Sequence, residues 1–327
     1  MTWRAVDGPA PEDPDAGPDA ASVDVAEVLL DGAWRHRFVA ANGARFHVAE
    51  AGEGPLVVLL HGFPEFWWSW RHQLPALAAR GYRAVAVDLR GYGDTDKPPR
   101  GYDLWTLAGD VAGLVRALGE RSARVVGHGW GGIVGWTVTA LHPRLVASLA
   151  VLAAPHPLAV RRAVVRDPRG QGRALLGRRG GVLAAQLPRL PERRLRGGDG
   201  VERVLAARAG AAWSRGPGFT AAVEGDRRAM RVPGVAHCSL EYYRWAVRSQ
   251  VRAEGRRFAA AVARTPTVPV LAVHGADDPY LLAATAAGSR RWGGPHLRSV
   301  VLPGVGHFPH HERPDEVTAL LRAFLSS

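Results

Sequence analysis

The stretch Val126-Gly127-His128-Gly129-Trp130-Gly131-Gly132 leaves a short apolar run and enters a segment of helical length. Its glycines have the spacing of a nucleophile elbow, where a strand turns sharply into a helix and presents the central residue on a strained backbone. That central residue is Gly129. Because ligand sites in parallel sheets lie beyond the carboxyl ends of the strands, this turn predicts the position of a site as well as a fold.

The surrounding chain alternates between short apolar runs and segments of helical length. The runs are typical of strands buried on both faces and cover residues 56–60, 84–87, 125–126, 149–152, 268–273 and 299–302. The helical segments include residues 104–118, 132–141 and 314–325. A hairpin around Asn42-Gly43, a pair suited to a type I′ turn, precedes them. This pattern predicts an α/β fold with a mainly parallel central sheet and helices on both faces.

One interval breaks the alternation. Residues 156–263 are rich in Ala, Leu and Arg and contain no convincing strand, which predicts a helical cap inserted into a core of residues 28–155 and 264–327. Residues 1–27 predict a disordered acidic tail, because the first 24 residues carry six acids against one Arg. We expect the Gly- and Arg-rich residues 169–181 to form a mobile loop.

The composition excludes several classes of protein. With 327 residues, 47% of them hydrophobic, the chain can bury a full core, yet no apolar run approaches the length of a membrane span. Cys238 is alone, so neither an intramolecular disulfide nor a zinc finger can form, and we expect a cytoplasmic protein with no membrane partner. The net charge of +12 comes from arginine, since Lys97 is the single lysine among 42 basic residues. That bias indicates GC-rich coding, and we expect no nucleic-acid partner.

Four further stretches carry a family resemblance. They are His61-Gly62-Phe63-Pro64-Glu65-Phe66-Trp67-Trp68-Ser69-Trp70-Arg71, Asp88-Leu89-Arg90-Gly91-Tyr92-Gly93-Asp94, Gln186-Leu187-Pro188-Arg189-Leu190-Pro191-Glu192 and Gly306-His307-Phe308-Pro309. Over residues 34–326 the chain resembles the epoxide hydrolase and haloalkane dehalogenase branch of the α/β-hydrolases. The resemblance implies an α/β-hydrolase fold and an enzyme with a small-molecule substrate. We expect no metal, no cofactor, and a monomer or homodimer.

The resemblance also implies roles for individual residues. His307 would be the base and Asp278 the acid that orients it and stabilises its imidazolium. The backbone N–H groups of Phe63 and Trp130 would form an oxyanion hole. Tyr243, in the cap, would donate a hydrogen bond to an epoxide oxygen. The residues expected around the pocket are His61, Gly62, Pro64, Trp67, His128 and Tyr242.

The sequence departs from this family at the elbow. The family has a nucleophilic Asp at the position of Gly129, and glycine has no side chain with which to form an ester. Glycine adopts the strained elbow conformation at little cost and leaves a small space beside His307. The cap also lacks a tyrosine before Tyr242, so the second tyrosine of the family is missing.

Three hypotheses follow from a retained His–Asp pair without a nucleophile. The first is an enzyme in which His307 abstracts a proton for cyclisation, addition or carbon–carbon bond formation on a specialised metabolite. The second is an epoxide hydrolase, with direct attack by water or with Gly129 as an engineered inactivation. The third is a non-catalytic ligand-binding protein. Residues 156–232 carry 17 Arg against six acids, which is either a solvated face or an attraction for an anionic substrate.

Overall fold

A computed structural model describes residues 22–177 and 181–326. Most of the predicted acidic tail, residues 1–21, and residues 178–180 of the predicted mobile loop lie outside this described part. Within it, the Asp24 side chain accepts a hydrogen bond from the N–H of Ala26 and caps a 3₁₀ turn, Val25–Val28. Val28, directly after the segment predicted as tail, is fully buried, so the last described residues of that segment pack onto the core. Residues 168–176 are also helical, in contrast to the predicted loop.

The core is an eight-stranded sheet in the order β1-β2-β4-β3-β5-β6-β7-β8. The strands are β1 (Arg35–Ala41), β2 (Ala44–Ala51), β3 (Leu56–Leu60), β4 (Arg83–Val87), β5 (Ala123–His128), β6 (Val146–Leu152), β7 (Val270–Gly275) and β8 (Leu297–Leu302). The pairs β1–β2 and β2–β4 are antiparallel, and every other pair is parallel. The mainly parallel sheet is therefore confirmed, as is the hairpin: Asn42 and Gly43 have φ of 45° and 74°, as a type I′ turn requires.

Helices cover the sheet and fill the interval between β6 and β7. They are α1 (Gln73–Ala78), α2 (Leu104–Ala117), α3 (Gly129–Leu141), α4 (Pro157–Arg166), α5 (Arg173–Leu176), α6 (Leu190–Arg196), α7 (Gly200–Arg208), α8 (Pro217–Arg231), α9 (Val235–Arg248), α10 (Ala253–Val262), α11 (Ala283–Ala287), α12 (Pro309–Glu312) and α13 (Pro314–Leu325). All five residues of β3 are buried, because helices pack on both faces of the sheet. Between β6 and β7 the described chain is helical and loop-like, without a strand.

Helix α3 begins three residues earlier than the predicted segment 132–141. The glycines there allow close packing rather than a loose turn: a Cβ on Gly131 would lie 2.1 Å from the carbonyl oxygen of Leu60. The helix can therefore start directly at the end of β5 and rest on the end of β3. None of the described helices is long and apolar enough to cross a membrane.

Candidate active site

The elbow between β5 and α3 places a residue without a side chain opposite His307. Gly129 has φ +49°, in the left-handed region that favours glycine. A Cβ built there would lie 3.6 Å from the Cα of Gly62 and 3.7 Å from Nε2 of His307, which are ordinary van der Waals distances. The N–H of Gly131 donates to the carbonyl oxygen of His61 at 3.0 Å and fixes the turn. The position therefore has room for a side chain and holds none.

His307 and Asp278 follow β8 and β7, and the parallel register brings them together. Nδ1 of His307 lies 2.7 Å from Oδ2 of Asp278, and both side chains are buried. The other carboxylate oxygen accepts the N–H groups of Tyr280 and Leu281 at 2.8 Å and 2.9 Å. These bonds fix the carboxylate, so Asp278 can hold the imidazole with Nδ1 as the donor and Nε2 turned towards Gly129.

Burial lowers the pKa of His307 to about 4, although the Asp278 carboxylate opposes this shift, and the Arg208 guanidinium contributes a smaller lowering. For Asp278, burial alone would raise the pKa, but the neighbouring His307 and its hydrogen bond outweigh burial and lower that pKa. The pair is therefore a neutral imidazole beside a carboxylate near neutral pH. This is the protonation state that a general base requires.

A cavity of about 140 Å³ opens over Gly129 and His307. Of the residues given roles from the sequence, Phe63, Trp130 and Tyr243 line it as well. Asp278 lies behind the imidazole. The remaining described lining is Ile133, Val160, Leu175, Val182, Arg208, Ala246, Tyr280 and Leu281, so no acidic side chain is among the described residues that face this space.

Two polar side chains of the cavity, Arg208 and Tyr280, were missed in the sequence. The guanidinium carbon of Arg208 lies 3.8 Å from the centre of the Tyr280 ring, and Nη1 lies 3.5 Å from the Tyr243 hydroxyl. Burial and the neighbouring Tyr243 raise the pKa of Tyr280. A second tyrosine is thus present, supplied by the loop after β7 instead of the cap. Its place two residues after Asp278 was a usable signal, whereas nothing distinguished Arg208 from the other cap arginines.

This geometry can be compared with known proteins. A family model described as alpha/beta hydrolase fold matches residues 55–314. The chain belongs to this alpha/beta hydrolase family. It is 35% identical to epoxide hydrolase A of Mycobacterium tuberculosis over 90% of this chain and 98% of that protein. It is 33% identical to the AB hydrolase superfamily protein YfhM of Bacillus subtilis over 89% and 98% of the two chains. A solved Vigna radiata epoxide hydrolase mutant superposes with a TM-score of 0.73 at 30% identity, covering 90% of this chain and 99% of that one. The alpha/beta hydrolase fold is thereby confirmed.

Six residues expected around the pocket of this alpha/beta hydrolase are not among the described residues that line the cavity. His61 is fully buried, with Nδ1 donating to the carbonyl oxygen of Gly62 at 2.7 Å and Nε2 accepting from the N–H of Leu89 at 3.1 Å. The Trp67 indole donates to the carbonyl oxygen of Val28 at 2.9 Å. The six are His61, Gly62, Pro64, Trp67, His128 and Tyr242.

Tyr242 and His128 directly precede Tyr243 and Gly129 in the chain, but they are not among the described residues that line the cavity. Tyr242 points away from Tyr243 and donates to the carbonyl oxygen of Arg90 at 2.8 Å, which ties the cap to the core. His128 precedes Gly129 but lies below it, and its Nε2 donates to the carbonyl oxygen of His307 at 2.7 Å. On a strand and on a helix, adjacent side chains point in different directions, so His128 and Tyr242 do not line the cavity although Gly129 and Tyr243 do.

A buried group of titratable side chains lies under the candidate active site of this alpha/beta hydrolase. Nδ1 of His128 lies 2.6 Å from Oε2 of Glu65, and Nε2 atoms of His310 and His311 lie 3.1 Å and 3.2 Å from Oε1. In the described chain, Glu65, His128 and His310 form the one group close enough to hold a metal ion. Burial opposes the charged forms, but mutual attraction lowers the pKa of Glu65 and raises that of His128. The arrangement is thus explained as a buried ion pair that supports the backbone of His307.

Proposed function

We propose that this protein is an epoxide hydrolase-like enzyme that has lost the covalent step and uses His307 directly as a general base on a small molecule. The observation that carries the proposal is the space over Gly129. There, Nε2 of His307 faces a position with room for a side chain and without one. An ester intermediate needs a nucleophilic side chain, and glycine offers none.

The proposed reaction begins with a neutral His307, whose pKa of about 4 leaves Nε2 unprotonated near neutral pH. Nε2 takes a proton from the substrate, and Asp278 stabilises the imidazolium that forms. The negative charge that develops on the substrate is placed near the N–H groups of Phe63 and Trp130. The Tyr243 hydroxyl orients that oxygen. Cyclisation, addition or carbon–carbon bond formation on a specialised metabolite fits this scheme, which uses no metal and no cofactor.

Epoxide hydrolysis by direct attack of water is the second candidate, and the similarity of the chain to epoxide hydrolases favours it. In this reaction His307 removes a proton from water, and the water oxygen bonds to an epoxide carbon while the ring C–O bond breaks. Tyr243 protonates the leaving oxygen and regains its proton from the imidazolium. Both candidates need the same base, and they differ in whether water enters the product.

The test compares wild type with His307→Ala and His307→Gln in water enriched in heavy oxygen. General-base catalysis predicts that both variants lose at least about a hundredfold in kcat while still binding substrate. Heavy oxygen in the product would identify hydrolysis, and its absence would identify a non-hydrolytic reaction. Unchanged turnover in either His307 variant would refute the proposal. Ligand binding without chemical change in wild type would identify a binding protein instead.

We also propose a cytoplasmic enzyme that acts on a small anionic substrate, as a monomer or homodimer, with no nucleic-acid or membrane partner.

A further inference from the structure

A groove of about 390 Å³ lies between α4 on one side and α11 with the following 3₁₀ turn, Gly288–Arg291, on the other. It shares no described lining residue with the cavity over Gly129. Helix α4 contributes Val160 to that cavity and Ala159 and Ala163 to the groove, so the two spaces lie on different faces of the helix. The groove is therefore separate from the candidate active site.

Three exposed arginines line this groove. Arg162 and Arg166 lie one turn apart on α4, and Arg291 ends the 3₁₀ turn. The positive charge of Arg166 lowers the pKa of Arg162, and the charge of Arg291 adds to this effect. The three guanidinium groups, called the groove arginines below, are thus close enough to repel one another.

Acidic side chains do not offset these charges in the described part of the chain. No acidic residue is among the described residues that line the groove, and the groove arginines form no ion pair with other described residues. Asp167, the next residue along the chain, is engaged elsewhere, because its carboxylate accepts the N–H groups of Gly170 and Gln171 at 2.8 Å and 3.1 Å. By contrast, the exposed Arg203 of the cap pairs with Asp199. The groove arginines are therefore available to an external anion.

The end of α4 accounts for only part of this cluster. Arg166 lies in the last turn of the helix, where the helix dipole favours a positive charge. A second positive charge four residues earlier, on Arg162, opposes that gain by a similar amount. Arg291 belongs to a different element, so the dipole of α4 does not explain its position. A bound anion would relieve the repulsion among all three.

The number and type of these side chains indicate the ligand. A guanidinium group binds phosphate oxygens through two parallel hydrogen bonds. One phosphate group carries a charge of about −1.5 to −2 near neutral pH, which is less than the charge of three arginines, whereas two linked phosphate groups can offset all three. The volume of the groove suits a small molecule, and Ala159, Ala163, Ala284 and Gly288 leave its inner surface without large side chains.

We propose that this groove binds the diphosphate group of a small soluble molecule. The two phosphates lie between α4 and the 3₁₀ turn, where each of the groove arginines contacts them. Binding then links the two elements by charge-assisted hydrogen bonds. The inference does not depend on the proposed function, because the groove and the cavity over Gly129 are separate.

The test is calorimetric binding of inorganic pyrophosphate and inorganic phosphate to the full chain, in buffer without divalent cations. We expect wild type to bind pyrophosphate at least about tenfold more tightly than phosphate. Arg162→Gln, Arg166→Gln and Arg291→Gln should each weaken pyrophosphate binding at least about tenfold, because each removes a charge-assisted pair. Arg161→Gln is the matched control: it removes the same charge from an exposed position of α4 outside the described lining and should change the affinity less than about threefold.

The same variants show whether a loss of binding is a loss of folding. The groove arginines are exposed, so their replacement should leave Tm close to that of wild type, and Arg291→Gln leaves the sequence of α4 intact. Equal affinities of wild type for phosphate and pyrophosphate would overturn the inference. An equal loss of affinity in Arg161→Gln and Arg162→Gln would also overturn it, since it would indicate a diffuse positive field instead of a site.

Lipid headgroups carry the same phosphate chemistry, so a further measurement distinguishes the two sources. Wild type is sedimented with vesicles rich in phosphatidic acid at physiological salt, with and without pyrophosphate. A site for a soluble diphosphate predicts that the protein stays in the supernatant in both cases. Sedimentation of the protein with these vesicles would overturn the assignment to a soluble ligand.

Discussion

Gly129→Asp tests whether the space at the elbow is the site of a missing nucleophile. At φ +49° a residue other than glycine costs about 1–2 kcal/mol. The new Cβ meets its nearest neighbours at 3.6 Å and 3.7 Å, so steric overlap adds little. Arg208 faces the same cavity, and its positive charge favours a carboxylate there. We therefore expect the free energy of unfolding to fall by about 1–2 kcal/mol and Tm by a few degrees.

The Gly129→Asp variant should gain epoxide hydrolase activity. After incubation with a simple epoxide such as styrene oxide, intact-protein mass spectrometry should show an ester adduct on Gly129→Asp, and diol should accumulate. Gly129→Ala is the matched control, because it has the same backbone strain without a carboxylate; it should lose similar stability and form neither adduct nor diol. A destabilisation beyond about 4 kcal/mol would mean that the position has no room, since such losses require a clash or a broken network. A folded Gly129→Asp that binds the epoxide without adduct or diol would refute the assignment of the nucleophile position.

Three further predictions concern the buried groups. Because the pKa of His307 is lowered to about 4, kcat/KM of wild type should stay level from neutral pH to about 5 and fall as the base is protonated below that; a fall centred near 6.5 would contradict this. Tyr280→Phe should lower kcat about tenfold or more and leave Tm nearly unchanged if its hydroxyl helps Tyr243 to hold the substrate oxygen; loss of stability with unchanged kcat would show a packing role. Burial also lowers the pKa of His156 to about 4, so as pH falls this side chain is protonated in the unfolded protein before it is protonated in the folded one. Wild type should therefore lose stability as pH falls from about 6.5 to 4, and His156→Asn should flatten the plot of Tm against pH. An unchanged slope in His156→Asn would contradict this role of His156.

The strands could be predicted where apolar residues run without interruption, and less well where they do not. Residues 56–60 were predicted with the bounds of β3, because this strand is buried on both faces and every residue is apolar. Strand β5 was predicted as two residues and has six. Its pairing with β3 and β6 on both sides keeps Arg124, Gly127 and His128 in the ladder although their side chains break the apolar pattern.

In the candidate site, too, some residues could be identified from the sequence, whereas others depend on contacts between distant parts of the chain. The family resemblance assigned roles to His307 and Asp278, and the two side chains meet because each follows a strand of a parallel sheet. Arg208 could not be predicted. It is one of 17 arginines in residues 156–232, and its place beside His307 depends on a backbone hydrogen bond between the end of α7 and the loop after β8. No periodicity within the cap encodes that contact.

Within the His–Asp pair, one atom, Nε2 of His307, favours an enzyme over a binding protein. Asp278 has a structural role besides any chemical one, because its Oδ1 holds the backbone of Tyr280 and Leu281, so its retention is compatible with a protein that only binds ligands. Nδ1 of His307 is committed to Asp278 in the same way. Nε2 is different: it opens on the cavity at Gly129, and no hydrogen bond to it is formed within the described chain. An imidazole nitrogen kept unprotonated and pointed into a ligand cavity contributes little to stability, and general-base chemistry is the role that needs it.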